Sequence, residues 1–173
     1  MKKVFLVLLL VTTVSCKKEN KDKVKLPVVE QKDFFTLTIN AIIENDDEFS
    51  LFFLEEGQIN ITKKNSVTVN VLGSSEPQEL IFTIKDEVLP TKLFLRFWYG
   101  QKAQKITFLI TYLSYGENSF IIEKDKFFQF FIPNKYIEFD KENFIATAKE
   151  VGGEYKPRFG SRTVLIDKIF YAF

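Results

Sequence analysis

Histidine is missing from this chain, and cysteine, tryptophan and methionine occur once each. Without an imidazole, neither a Ser-His-Asp nor a Cys-His relay can be assembled, and zinc sites that need histidine are excluded. A single cysteine forms no internal disulfide, so the core alone must hold the fold. Any catalysis would fall to Asp, Glu, Lys, Tyr, Ser or Thr, which leaves a glycosidase-like carboxylate pair formally open. Charge of one sign is not in excess either: 24 basic residues face 23 acidic ones. Nucleic-acid binding needs a basic face or stripe and is set aside as a partner. No cofactor and no metal is expected. What the chain has in quantity is phenylalanine, 20 residues of it, with 6 tyrosines. Each buried Phe contributes roughly 1.5–3 kcal/mol, so a substantial core is within reach.

The only long apolar run is Val4 to Val11, after Lys2 and Lys3 and before Thr12-Thr13-Val14-Ser15-Cys16. It is too short to remain as a spanning helix, but it suits a cleaved export signal. The segment resembles the lipobox of bacterial lipoproteins, with Thr13 where Leu is commonest. That resemblance implies that the Cys16 thiol is acylated and becomes the first residue of the mature chain. An ordinary secretory signal with an incidental cysteine is the other reading. Lys17, rather than Asp, after the cysteine implies sorting to the outer membrane of the cell envelope. Lipidation of Cys16 would also remove the last free thiol.

Three regions are therefore expected: a signal peptide over 1–15, a lipidated cysteine with its tether over 16–32, and a folded domain over 33–173. In the tether, Lys17, Lys18, Lys21, Lys23 and Lys25 alternate with Glu19 and Asp22, and no hydrophobic period appears. Such a stretch reads as a solvated spacer, with contact to anionic head groups as a second reading.

Beyond Lys32 the hydrophobic period is two, the mark of strands half-buried on one face. Phe35, Leu37 and Ile39 alternate with Thr36, Thr38 and Asn40, and similar runs follow at Glu48 to Leu54, Val67 to Val71 and Leu80 to Ile84. Leu93, Leu95 and Phe97 share one side of the next strand, and Phe94, Arg96 and Trp98 share the other. Ile106, Phe108, Ile110 and Tyr112 make a long strand, and Phe120 to Ile122, Phe127 to Phe131 and Tyr136 to Phe139 follow. Thr163 to Phe170 fits either a short helix or a last strand. Short strands with polar turns every ten or so residues point to an all-β fold, an antiparallel, jelly-roll-like β-sandwich.

The segments EFSLFFLEEGQINIT (48–62), VTVNVLGSSEPQELIFTI (67–84), LPTKLFLRFWYGQKAQKI (89–106), FFQFFIPNKYIEFD (127–140) and GEYKP (153–157) carry a second resemblance. They are similar to a β-sandwich domain of bacterial envelope proteins, found as small lipoproteins and beside membrane glycosyltransferases. The resemblance implies a carbohydrate-related surface context and supplies no catalytic residues. Trp98-Tyr99-Gly100 departs from it, standing where relatives place small polar turn residues.

Four residues form the leading candidate site: Phe94, Arg96, Trp98 and Tyr99. An exposed aromatic row beside a guanidinium can stack on a sugar ring and hydrogen-bond its hydroxyls. The alternative is that this face is covered and that Arg96 caps Trp98 in a structural cation–π contact. The acidic turn Glu44-Asn45-Asp46-Asp47-Glu48 has enough oxygens to suggest calcium, but it matches no EF-hand and has no Gly for the sharp bend. Glu55-Glu56 and Glu76 sit at strand ends, where a catalytic pair or a plain turn are the two readings. Phe127 to Phe131 and Ile169 to Phe173 are expected to pack in the core. The resulting expectation is a non-catalytic, membrane-anchored envelope protein whose partner is a glycan, or alternatively another envelope protein docked on a sheet edge or the Phe-rich segment.

Overall fold

The computed structural model describes residues 33–85, 87–97 and 104–173. Two antiparallel sheets face each other. One runs in the order β4-β1-β6-β10-β9 with β7 also paired to β6, and the other in the order β3-β2-β5-β11-β8. The strands are β1 (Phe35–Ile43), β2 (Asp47–Leu54), β3 (Ser66–Val71), β4 (Ser74–Ile84), β5 (Lys92–Phe97), β6 (Lys105–Tyr115), β7 (Asn118–Glu123), β8 (Phe131–Pro133), β9 (Ile137–Asp140), β10 (Ile145–Ala148) and β11 (Arg158–Ser161). Among the described residues two α-helices, α1 (Phe127–Phe130) and α2 (Thr163–Ala172), and a 3-10 turn at Lys124–Lys126 accompany them.

The pairing is that of two nested ribbons. In the first, β2 pairs with β3 and β1 with β4; in the second, β5 pairs with β11 and β6 with β10. Each ribbon crosses from one sheet to the other, and the β1–β6 and β2–β5 pairings zip the two together. The all-β, jelly-roll-like sandwich expected from the sequence is the fold of this domain. β1 shows why: its residues alternate strictly between buried and half-buried along the whole strand.

Phenylalanine supplies nine of the 27 residues of the buried core cluster. Phe49, Phe97 and Phe159 stack successively from β2, β5 and β11, at centroid separations of 5.6 and 5.8 Å. Phe108 meets them from the opposite sheet, edge-on to Phe159 and stacked on Phe127. Offset and edge-to-face rings of this kind add about 0.5–1.5 kcal/mol per pair beyond the area they bury.

Several segments differ from the sequence-based expectation, each for a local physical reason. Phe127 to Phe131 is not a strand: its first four residues form α1 and only Phe131 enters β8. Without alternation, Phe127 and Phe131 come together at a four-residue spacing, stacked 4.8 Å apart and both buried. In β6, Ile106 and Phe108 point inward, but so do Thr111 and Leu113, whereas Tyr112 is exposed. A bulge causes this: Asn40 pairs with Ile110 and Ala41 with Phe108, so Leu109 is an extra residue that reverses the phase. The C-terminal segment is the helix α2, which buries Leu165 and Ile169. Phe173 rests edge-on against Phe35, while Phe170 and Tyr171 face solvent rather than the core. β10 and β11 are strands that hydrophobic periodicity did not announce.

The β1–β2 turn is pinned from inside. The buried amide of Gln104 donates to Asn45 O (2.8 Å) and Asp47 Oδ2 (3.2 Å), and its Oε1 accepts from Asn45 N. Gly73 closes the same corner: a Cβ there would stand 2.6 Å from Glu44 O, so only glycine allows the β3–β4 turn to approach.

Candidate functional site

Leu93, Leu95 and Phe97 are fully buried, which turns Phe94 and Arg96 to the outer face of the five-stranded sheet. Trp98, Tyr99 and Cys16 lie outside the described residues. Register then aligns two rows across this face. One runs Thr68, Ser50, Arg96, Arg158, from β3 to β11, and the other runs Ser66, Phe52, Phe94, Gly160, Ile132, from β3 to β8. The Ser50 and Thr68 hydroxyls are 3.0 Å apart. Polar and cationic groups thus lie beside an aromatic row.

Phe94 is not a bare platform. A methyl group at Gly160 would touch two of its ring carbons at 3.6 Å, so the ring already lies across Gly160. The Arg158 guanidinium stands 4.8 Å from the ring centroid. A cation–π contact therefore exists on this face, made by Arg158 over Phe94.

Two clefts flank Arg96 and share it as a wall. One, of about 290 Å³, is lined by Glu48, Ser50, Phe52, Lys63 and Thr68 among others. The second, of about 350 Å³, is lined by Asn134, Tyr136, Lys156 and Arg158. With strands roughly 4.8 Å apart, the path from β3 to β8 is on the order of 19 Å. The arrangement is a groove crossing the strands, not a closed pocket.

Asn134 fixes the far end. Its Nδ2 donates to Lys156 O at 2.7 Å, while its Oδ1 accepts from the backbone N–H groups of Tyr136 and Arg158. The Tyr136 hydroxyl and the Lys156 ammonium (2.7 Å) both donate to Glu154. The hydrogen bonds from Lys156 and Tyr136 hold the Glu154 carboxyl below the usual range. Hydrogen bonding to Glu154 raises Lys156 in turn, opposed by burial and by the nearby Arg96 charge. Glu154 is thereby occupied, and Lys63, Arg96 and Arg158 line the two clefts together with one further acid, Glu48.

Asp46, Asp47 and Glu55 each make a local hydrogen bond. Asp46 Oδ1 accepts from Gly73 N at 2.7 Å, and Asp47 Oδ1 accepts from Glu48 N, so these carboxylates tie down their own turn. Among the described residues no three Asp or Glu side chains gather as a metal site. Glu55 accepts from Asn65 Nδ2 at 2.8 Å and braces the β2–β3 loop. Sequence reasoning missed Arg158, Asn134, Tyr136 and Lys156, because their strands and turns carry no period that shows which side faces out.

Fold and surface together define the class: an all-β, jelly-roll-like sandwich with a groove across one outer face. Compared with protein-family models, curated proteins and solved structures, the chain finds no match. Among the described residues no helix is long and apolar enough to cross a membrane.

Proposed function

We propose that this protein is a lipid-anchored constituent of the bacterial cell envelope that holds a glycan chain in the groove over the five-stranded sheet. Cys16 carries the lipid and joins the protein to the outer membrane; the sandwich is non-catalytic and serves as the binding element. One observation carries the reading: the register-aligned row Thr68, Ser50, Arg96, Arg158 beside Phe52 and Phe94. Hydroxyls and planar guanidiniums can orient sugar hydroxyls, and partly exposed rings can contact apolar sugar faces. Lys63 and Arg158, which line the clefts on either side of Arg96, favour chains bearing carboxylate or phosphate groups. Trp98 and Tyr99, which directly follow β5, belong to the proposed binding set with Phe94 and Arg96.

A glycan array probed with the full chain carrying Cys16→Ser tests this. Binding of acidic glycans, lost on Arg96→Ala or Trp98→Ala with the fold intact by circular dichroism, supports the reading. An array without hits, or hits that survive both substitutions, overturns it. Docking of an envelope protein on the Phe-rich segment draws less support, since Phe127 and Phe131 spend their rings in the core.

A further inference from the structure

A cavity of about 500 Å³ lies away from the row of arginines, between α1, β8 and the β9–β10 turn. Phe128, Phe139 and Phe144 contribute half-buried aromatic walls, and Ile132 and Pro133 extend the apolar lining. Phe128 and Phe139 stack on each other.

Phe144 adopts a backbone angle that its side chain does not favour. Its φ is +59°, and it is the sole described non-glycine residue in the left-handed region. For a bulky side chain this conformation is strained. The surroundings impose it: Phe108 N donates to Phe144 O at 3.3 Å, and the Asp140 carboxylate caps the turn through Glu142 N and Asn143 N. A glycine would satisfy the turn without strain. Phenylalanine instead places a ring on the cavity wall, with Lys124 Nζ 5.5 Å from its centroid.

The polar groups at the rim are unevenly charged. Arg162 is tied to α1 twice, by its backbone N–H to Phe130 O (2.7 Å) and by Nε to Phe128 O (3.1 Å). Arg162 and Lys141 both line the cavity, so two cations border it. The single acid, Asp125, stands 3.3 Å from Lys126 Nζ. Gln129 supplies a neutral amide.

We infer that this cavity binds an anionic amphiphile, its apolar body against the three phenylalanines and its carboxylate or sulfonate at Arg162 and Lys141. Burial of the apolar body supplies affinity, and the two cations set orientation and charge preference. The cavity meets the end of the proposed glycan groove at Ile132, but its cations, Arg162 and Lys141, are not those of the groove, and the inference does not depend on glycan binding.

The test uses the full chain carrying Cys16→Ser, so that no attached lipid competes. The probe is the fluorescent anion anilinonaphthalene sulfonate, with decanoate, decyl glucoside and decyltrimethylammonium as competitors. One saturable site displaced by decanoate, and at least about tenfold less well by the neutral and cationic chains, is the expected result. Arg162→Gln weakens decanoate about tenfold. Phe144→Gly, which relieves the backbone strain, also weakens it, while Arg158→Ala leaves it unchanged. Equal competition by all three chains, or decanoate affinity unaltered in Arg162→Gln, overturns the inference. Should Phe144→Gly fail to fold, Arg162→Gln and Lys141→Gln decide on the same readout.

Discussion

Arg96 and Arg158 occupy directly opposed positions on neighbouring strands of the five-stranded sheet. Like charges so placed repel one another, a cost that a sheet avoids by choosing almost any other pair. Arg158 recovers part of that cost by lying over Phe94. Both guanidiniums border the clefts proposed to hold a glycan.

Arg158→Ala separates these two contributions. Removing the repulsion offsets losing the cation–π contact, so unfolding free energy by urea denaturation should change by no more than about 0.5 kcal/mol. Glycan binding should fall sharply in the same protein. The wild-type interaction should also weaken between 50 and 500 mM salt, because exposed charges are screened over about a Debye length.

Gln104 is a buried amide with no role at the groove. Gln104→Leu leaves the Asn45 carbonyl and amide without their partner, which costs about 1–3 kcal/mol. Denaturant titration should show the loss, and hydrogen exchange should place it at the β1–β2 turn. A change below 0.5 kcal/mol would mean that water replaces the amide.

At the centre of the ring cluster, Phe127 contacts Phe108, Phe128, Phe131 and Phe159. Phe127→Ala should destabilise by about 3–5 kcal/mol through lost burial and an unfilled cavity. Gly73→Ala should cost about 1–3 kcal/mol, since the new methyl meets backbone that cannot step aside. Thermal unfolding ranks the two directly.

The Glu154 carboxyl titrates below an ordinary glutamate because Lys156 and Tyr136 donate to its ionised form. A depressed folded-state value means that its contribution is complete above the unfolded glutamate value. It is lost as pH falls through the folded one. Side-chain NMR titration should find that lower midpoint, and Tyr136→Phe should move it upward. An unchanged midpoint would mean that the Tyr136 hydroxyl does not reach the carboxylate in solution.

Acylation of Cys16 predicts a mature protein that begins at that residue and partitions with the membrane fraction. Intact-mass measurement reads this directly. Cys16→Ser should yield a product without the lipid mass, and an unmodified wild-type chain would remove the anchor from the proposed function.

Much of the sandwich was legible in the residues. Alternation identified β1 and β5 as strands and, in β5, the outward placement of Phe94 and Arg96. The same rule misread the second half of β6, because one extra residue at Leu109 inverts every later side chain. It also made Phe127–Phe131 a strand, since a run of phenylalanine is apolar at spacings of both two and four. The short β10 and β11 carried too few residues to establish any period. With β11 unseen, Arg158 had no neighbour and the groove no second arginine.

The sequence by itself determined the all-β class and the aromatic core. It also ruled out histidine- and disulfide-dependent chemistry, because these follow from which residue types exist and how they alternate along a strand. Tertiary structure alone decided which strands became neighbours. Opposition of Arg96 to Arg158 across a strand pair, and the cavity behind α1, join residues far apart in the chain. Such contacts depend on sheet register and on a single bulge, neither of which local hydrophobic pattern encodes.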